Sequence, residues 1–81
     1  MTKEHKITIY STPTCTYCVQ LKNFLKENDI KYTDIDVSRD QKKAHEMIEK
    51  SGQMGVPVSD INGEIIIGFN KERIKKLLGL K

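Results

Sequence analysis

From Lys6 to Tyr10 the side chains alternate, with Ile7 and Ile9 on one side and Thr8 and Tyr10 on the other, which is the two-residue period of a β-strand. Ser11-Thr12-Pro13-Thr14 breaks that pattern. From Cys15 onward Cys18, Leu21, Phe24, Leu25 and Asn28 recur close to the helical period while Lys22, Lys26 and Glu27 fall outside it, so a helix is predicted to about Asn28, where an Asn-Asp pair supplies a stop. Ile30 to Val37 returns to alternation. Thr33, Ile35 and Val37 share one face and Tyr32, Asp34 and Asp36 the other, the pattern of a strand with a polar side near a sheet edge.

Ser38-Arg39-Asp40-Gln41 has the Ser-x-x-Gln form of a capping box, predicting that Ser38 caps a second helix whose buried stripe is Ala44, Met47 and Ile48 and whose end is Ser51-Gly52. Two extended runs follow, Val56 to Ile61 and Glu64 to Ile67, joined by Asn62-Gly63, the strongest short hairpin signal. Within the first run Ser59 is polar in an apolar setting, open to a solvent face, a pairing with a neighbour or a substrate contact. Asn70 then caps a last helix with Ile74, Leu77 and Leu78 inward, Glu72 four residues before Lys76, and Gly79 as the stop. The order is β-α-β-α-β-β-α. The crossover rule makes the first two strands parallel and the hairpin makes the last two antiparallel, so the prediction is α/β, a four-stranded mixed sheet flanked by three helices.

Composition narrows the class. At 37% hydrophobic and 31% charged, with five Gly and two Pro in 81 residues, the chain is too apolar for disorder and has room for one domain, residues 1–81. The net charge of +3 is small for a nucleic-acid binder, and there is no Trp to stack on bases. Its basic end is local: Lys71, Arg73, Lys75, Lys76 and Lys81 face only Glu72, a solvated face or a dock for an acidic partner. No run is long and apolar enough to span a membrane, and the first ten residues hold no signal-peptide core, so a cytoplasmic monomer with neither nucleic-acid nor membrane partner is expected.

The two cysteines, Cys15 and Cys18, stand three apart where a strand hands over to a helix. A bridge between them closes too short a loop to act as a staple, so their value lies in reactivity or ligation. A structural zinc site normally needs four ligands, and His5 and His45 lack ligand spacing, which leaves metal as the lesser alternative, with a bridged iron-sulfur cluster beside it. Redox use suits the spacing, because Cys-x-x-Cys around a first helical turn brings two sulfurs within bonding reach. Cys15, among the unpaired N–H groups at the helix start, is expected to favour thiolate and attack first; Cys18, one turn inside, is expected to resolve the mixed disulfide. In Met54-Gly55-Val56-Pro57 the proline opens a strand. Beside a redox Cys-x-x-Cys, a cis Val56–Pro57 bond is expected, leaving the Val56 backbone facing the thiols for strand-like pairing with substrate.

Thr14-Cys15-Thr16-Tyr17-Cys18, together with Gly55-Val56-Pro57 and Gly68-Phe69-Asn70, resembles the dithiol glutaredoxins along nearly the whole chain. The resemblance implies a minimal thioredoxin fold and a thiol-disulfide oxidoreductase reducing protein disulfides or glutathione mixed disulfides. Cys15 would be the nucleophile, Cys18 the resolver and Pro57 cis, with Thr14, Thr16, Tyr17, Val56, Gly68, Phe69 and Asn70 also at the substrate. It implies no bound cofactor or metal, and glutathione or thioredoxin reductase as the electron source. The departures fall where glutathione is held. Thr12 replaces a usual lysine, Thr16 replaces the proline of Cys-Pro-Tyr-Cys, and Ile67-Gly68-Phe69-Asn70-Lys71 replaces Gly-Gly-Cys-Asp-Asp. At Gly68-Phe69 the chain is similar to the glutaredoxin-like redoxins that feed ribonucleotide reductase and are recharged by thioredoxin reductase, and equally to a bacterial glutaredoxin-like subgroup with Gly-Phe-Asn at this point. Monothiol Cys-Gly-Phe-Ser carriers and thioredoxin proper fit less well.

Overall fold

The structure, a computed structural model, describes residues 6–80, so His5 and Lys81 lie outside it. Seven elements follow in chain order: β1 (Ile7–Ser11), α1 (Thr16–Glu27), β2 (Thr33–Asp36), α2 (Gln41–Ser51), β3 (Val58–Ile61), β4 (Glu64–Ile67) and α3 (Lys71–Leu78). The strands form one sheet in the order β2-β1-β3-β4. β1 runs parallel to β2 and antiparallel to β3, and β3 runs antiparallel to β4. Both the α/β class and the element order match the expectation.

Alternation along β1 feeds two cores. Ile7 and Ile9 meet Leu21, Phe24 and Leu25 of α1 and Ile74 and Leu78 of α3 on one face, with Ile61 and Ile66 completing the layer. Tyr10 turns to the other face and packs with Met47 of α2 and Val58, rimmed by Ile35, Val37, Ile48, Val56 and Ile65. Of the stripe expected on α2, only Met47 is buried. The sheet is thus covered by two helices on one side and one on the other.

Turn and cap chemistry sets the element boundaries. Asn62 and Gly63 both adopt positive φ, 53° and 94°, the mirror-image turn whose twist suits a two-residue hairpin. α1 ends as a Schellman motif with Asp29 in the left-handed region: the Ile30 N–H reaches the Leu25 carbonyl at 2.9 Å and the Asp29 N–H the Lys26 carbonyl at 3.1 Å. Asn70 caps α3, its Oδ1 accepting the Arg73 N–H at 3.1 Å, and Gly79 stops it at φ 69°. The ion pair on this helix joins Arg73 to Glu64 of β4 at 3.6 Å.

The Ser38 capping box does not form. Asp40 caps α2 instead, its Oδ1 accepting the Lys43 N–H at 3.1 Å. Ser38 is engaged by Asp36, whose Oδ1 accepts both the Ser38 N–H and its hydroxyl. An aspartate two residues back closes a tight local turn and captures the serine, and Asp40 is then the polar side chain nearest the first free N–H groups.

Candidate active site

Beyond β1 the chain turns through Thr12-Pro13-Thr14, and the Cys15 N–H donates to the Thr12 carbonyl at 3.3 Å. Cys15 is the N-cap of α1. Its backbone is extended (φ −88°, ψ 111°), and its sulfur stands where a serine or aspartate oxygen usually does, accepting the Cys18 N–H at 3.1 Å. A negative charge on this sulfur is met by an orphan N–H and by the positive end of the helix. The two thiols are unbridged; Cys15 is half-buried and Cys18 fully buried.

Burial pushes the Cys18 thiol up to about 12, its hydrogen bond with Cys15 adding to the rise; the Thr12 backbone N–H pulls the other way, the charge of Cys15 again raises it, and Lys22 lowers it. At neutral pH Cys18 therefore keeps its proton. The two thiols differ in access and in hydrogen bonding.

The Val56–Pro57 peptide is cis, as expected. The Val56 carbonyl faces the site, 3.9 Å from the Cys15 sulfur, a long S–H contact. Pro57 is fully buried, and its carbonyl accepts the Gly68 N–H at 2.9 Å, Gly68 having φ 76°. Cys15, Cys18, Val56, Pro57 and Gly68 are thereby linked. Thr14 and Thr16 are exposed beside Cys15, and Tyr17 is 63% exposed. Phe69 faces inward, its ring 6.0 Å from that of Phe24, while the Lys71 ammonium lies 5.3 Å over the same Phe24 ring. The Oδ1 of Asn70 is engaged in capping α3.

A neighbouring cluster has no counterpart among the sequence expectations. The buried Ser11 hydroxyl donates to Asp34 Oδ1 at 2.7 Å, and Asp34 Oδ2 pairs with Lys22 Nζ at 3.0 Å, four residues along α1 from Cys18. Asp34 and Asp36 are the polar side of β2, and that side turns toward α1 rather than away from the molecule. The signal is the acidic alternation of β2, legible only once the parallel register sets Asp36 beside Ser11.

Among the described residues no group of three or more His, Cys, Asp or Glu is arranged to hold a metal ion. His45 is exposed on α2. Two surface hollows, about 530 and 370 Å³, open around Lys6 and Thr8 at the far end of β1 from the cysteines.

A Cys-x-x-Cys at the start of the first helix, facing a cis proline before β3 on a β2-β1-β3-β4 sheet, defines a dithiol protein of thioredoxin fold. The glutaredoxin family model matches residues 7–66, and the chain belongs to the glutaredoxin family. An uncharacterised glutaredoxin-like protein of 8.6 kDa encoded in a rubredoxin operon of Clostridium pasteurianum is 50% identical over 72 residues, 89% of this chain and 96% of that protein. Among solved structures, a variant of the thioredoxin-like protein BC3987 superposes with a TM-score of 0.88 at 33% identity, covering 94% of this chain and 97% of that one. The Escherichia coli NrdH-redoxin, a glutaredoxin-like protein with a thioredoxin-like activity profile, superposes with a TM-score of 0.80 at 25% identity, covering 89% and 93%.

Proposed function

We propose that this chain is a thiol-disulfide oxidoreductase that reduces protein disulfides through Cys15 and Cys18. The observation that carries this reading is the pairing of an accessible sulfur capping α1 beside the Val56 carbonyl with a second, buried and protonated thiol one turn inside. The Cys15 thiolate attacks one sulfur of the substrate disulfide; a Cys15–substrate bond forms, the other substrate sulfur leaves as a thiolate and takes a proton from solvent. Cys18 then loses its proton and attacks the Cys15 sulfur, releasing the second substrate thiolate and leaving a Cys15–Cys18 disulfide. Two electrons have moved from the dithiol to the substrate.

Tyr17, 63% exposed between the two cysteines, and Met54, 80% exposed two residues before Val56, suit an extended or protein substrate more than a small enclosed one. The Val56 backbone offers strand-like pairing to such a chain. A flavoprotein reductase of the thioredoxin-reductase class is the favoured source of electrons, with glutathione the alternative. The departures at Thr12 and Lys71 and the likeness to a redoxin of thioredoxin-like activity support this order. Ribonucleotide reductase is then one candidate acceptor, and a reducing, cytoplasmic setting goes with the chemistry.

The test is NADPH consumption with an insulin-type disulfide, supplied in parallel with thioredoxin reductase and with glutathione plus glutathione reductase. Turnover with the first system alone supports the proposed wiring, and turnover with glutathione alone replaces it. Cys15→Ser abolishes turnover in either system, whereas Cys18→Ser accumulates a covalent adduct visible by mass spectrometry. Undiminished protein-disulfide reduction by Cys15→Ser would overturn the assignment.

A further inference from the structure

Resolution requires a proton to leave Cys18, a side chain wholly out of water, so something must oppose burial at that step. Two of the causes that hold the proton on Cys18 are Cys15 itself, by its hydrogen bond and by its charge. Both lapse once the Cys15 sulfur is tied to substrate in a neutral disulfide. What remains against burial is the Thr12 backbone N–H and the Lys22 ammonium.

Lys22 is placed for that role by contacts on two elements. It lies four residues after Cys18, on the neighbouring turn of the same helix. Asp34 of β2 grips its Nζ at 3.0 Å, and the buried Ser11 hydroxyl fixes Asp34 from β1 at 2.7 Å. Ser11 immediately precedes Thr12, whose backbone lowers the Cys18 pKa, so the two supports meet at one strand end. Asp36, also on this face, is held below the usual carboxylate range by its hydrogen bond from Ser38, with Arg39 and Lys22 contributing. Of the groups that act on Cys18 by charge, Cys15 raises its pKa and Lys22 lowers it; Asp34 holds Lys22, and Asp36 on the same face is paired with Arg39.

We infer that Lys22, anchored by Asp34 and Ser11, is a positioning residue that readies Cys18 for the second attack and has no part in the first. The inference rests on the oxidoreductase reading above. In the resolving step the Cys18 proton passes to water, the sulfur takes up negative charge beside the Lys22 ammonium, and that charge ends on the released substrate thiolate. No further oxidant or reductant is needed.

The experiment is stopped-flow reaction of the reduced protein with one equivalent of an aryl disulfide whose thiolate is coloured. A first phase reports capture at Cys15 and a second reports release by Cys18. In Lys22→Met the first phase is expected to stay within about twofold, while the second slows about threefold from pH 6 to pH 9, because the Cys18 thiolate loses the neighbouring ammonium. Lys22→Arg restores the second phase, which a purely structural defect would not allow. An unchanged second phase in Lys22→Met overturns the Lys22 assignment alone. Absence of a second phase in the parent protein, or a first phase that survives Cys15→Ser, overturns the oxidoreductase reading and this inference with it.

Discussion

Tyr10 and Ser11 are neighbours on β1, yet they found two different polar networks on opposite faces of the sheet. On the α2 face the buried Tyr10 hydroxyl donates to Glu46 at 3.1 Å and accepts from Lys50 at 3.3 Å, and Lys50 pairs with Asp60 at 3.0 Å. On the α1 face Ser11 holds Asp34, which holds Lys22. Both tie a helix to the sheet through a lysine and an aspartate. They differ in what lies next along the helix: the first cluster has no thiol within it and fixes α2, whereas the second lies one turn from Cys18. The same kind of bond is a fastening on one face and part of the chemical surroundings on the other.

Alkaline pH separates the two faces most strongly. Burial raises the Cys18 thiol to about 12, and burial also raises Tyr10 above its usual 10.0, outweighing its bond from Lys50. In both cases the folded state binds the proton more tightly than the unfolded chain. Each contribution is therefore complete below the unfolded pKa and is lost as pH rises through the folded one. The loss from Cys18 begins near the free-thiol value of about 8.5 and that from Tyr10 near 10. Urea melts across this range should show stability falling by a few kcal/mol, with Cys18→Ala flattening the earlier part and Tyr10→Phe the later. A stability that holds level from pH 8 to pH 11 would contradict both.

Tyr10→Phe tests the fastening directly. It removes two hydrogen bonds from a buried hydroxyl and should cost about 1.5 kcal/mol of unfolding free energy at neutral pH, measured by denaturant titration. The rates at which Cys15 is captured and Cys18 resolves should not move, since among the described residues no hydrogen bond or ion pair of this network reaches the thiols. A change in either rate would mean that the faces are coupled through β1.

Ser59 sharpens the contrast from the other direction. It lies between Ile9 and Ile66 on the α1 side, fully buried, and its hydroxyl has no hydrogen-bond partner among the described residues. A polar atom that founds no network only carries its desolvation cost. Ser59→Ala should raise stability by about 1 kcal/mol, seen as a higher urea midpoint with an unchanged slope; a lower midpoint would mean that the hydroxyl has a partner in solution.

Much of this organisation is legible in the sequence alone. Alternation in Lys6 to Tyr10, the period from Cys15 to Asn28 and the Asn62-Gly63 turn are local signals, and each element they predict is present. The thiol pair and the cis Val56–Pro57 bond are legible for the same reason, lying within short motifs. Ser38 shows where local patterns fail, because two roles compete for it and Asp36 takes it. Lys22 and Asp34 show a different limit. Each reads alone as a surface charge, and only the packing of α1 across a parallel pair joins Lys22 to Asp34 and Asp34 to Ser11.

The alternation of β1 also guards against misassembly. A slip of one residue in a strand exchanges its faces, so a mispaired β1 would turn Ile7 and Ile9 toward α2 and carry Ser11 there with them. Tyr10 would arrive opposite Asp34 and Lys22, while Glu46 and Lys50 would face a serine too short to reach them. Apolar mismatch and two broken polar sets would be incurred together. Adjacent residues with incompatible partners therefore act as a proofreading pair, making the correct register the only one in which every buried group of this strand is served.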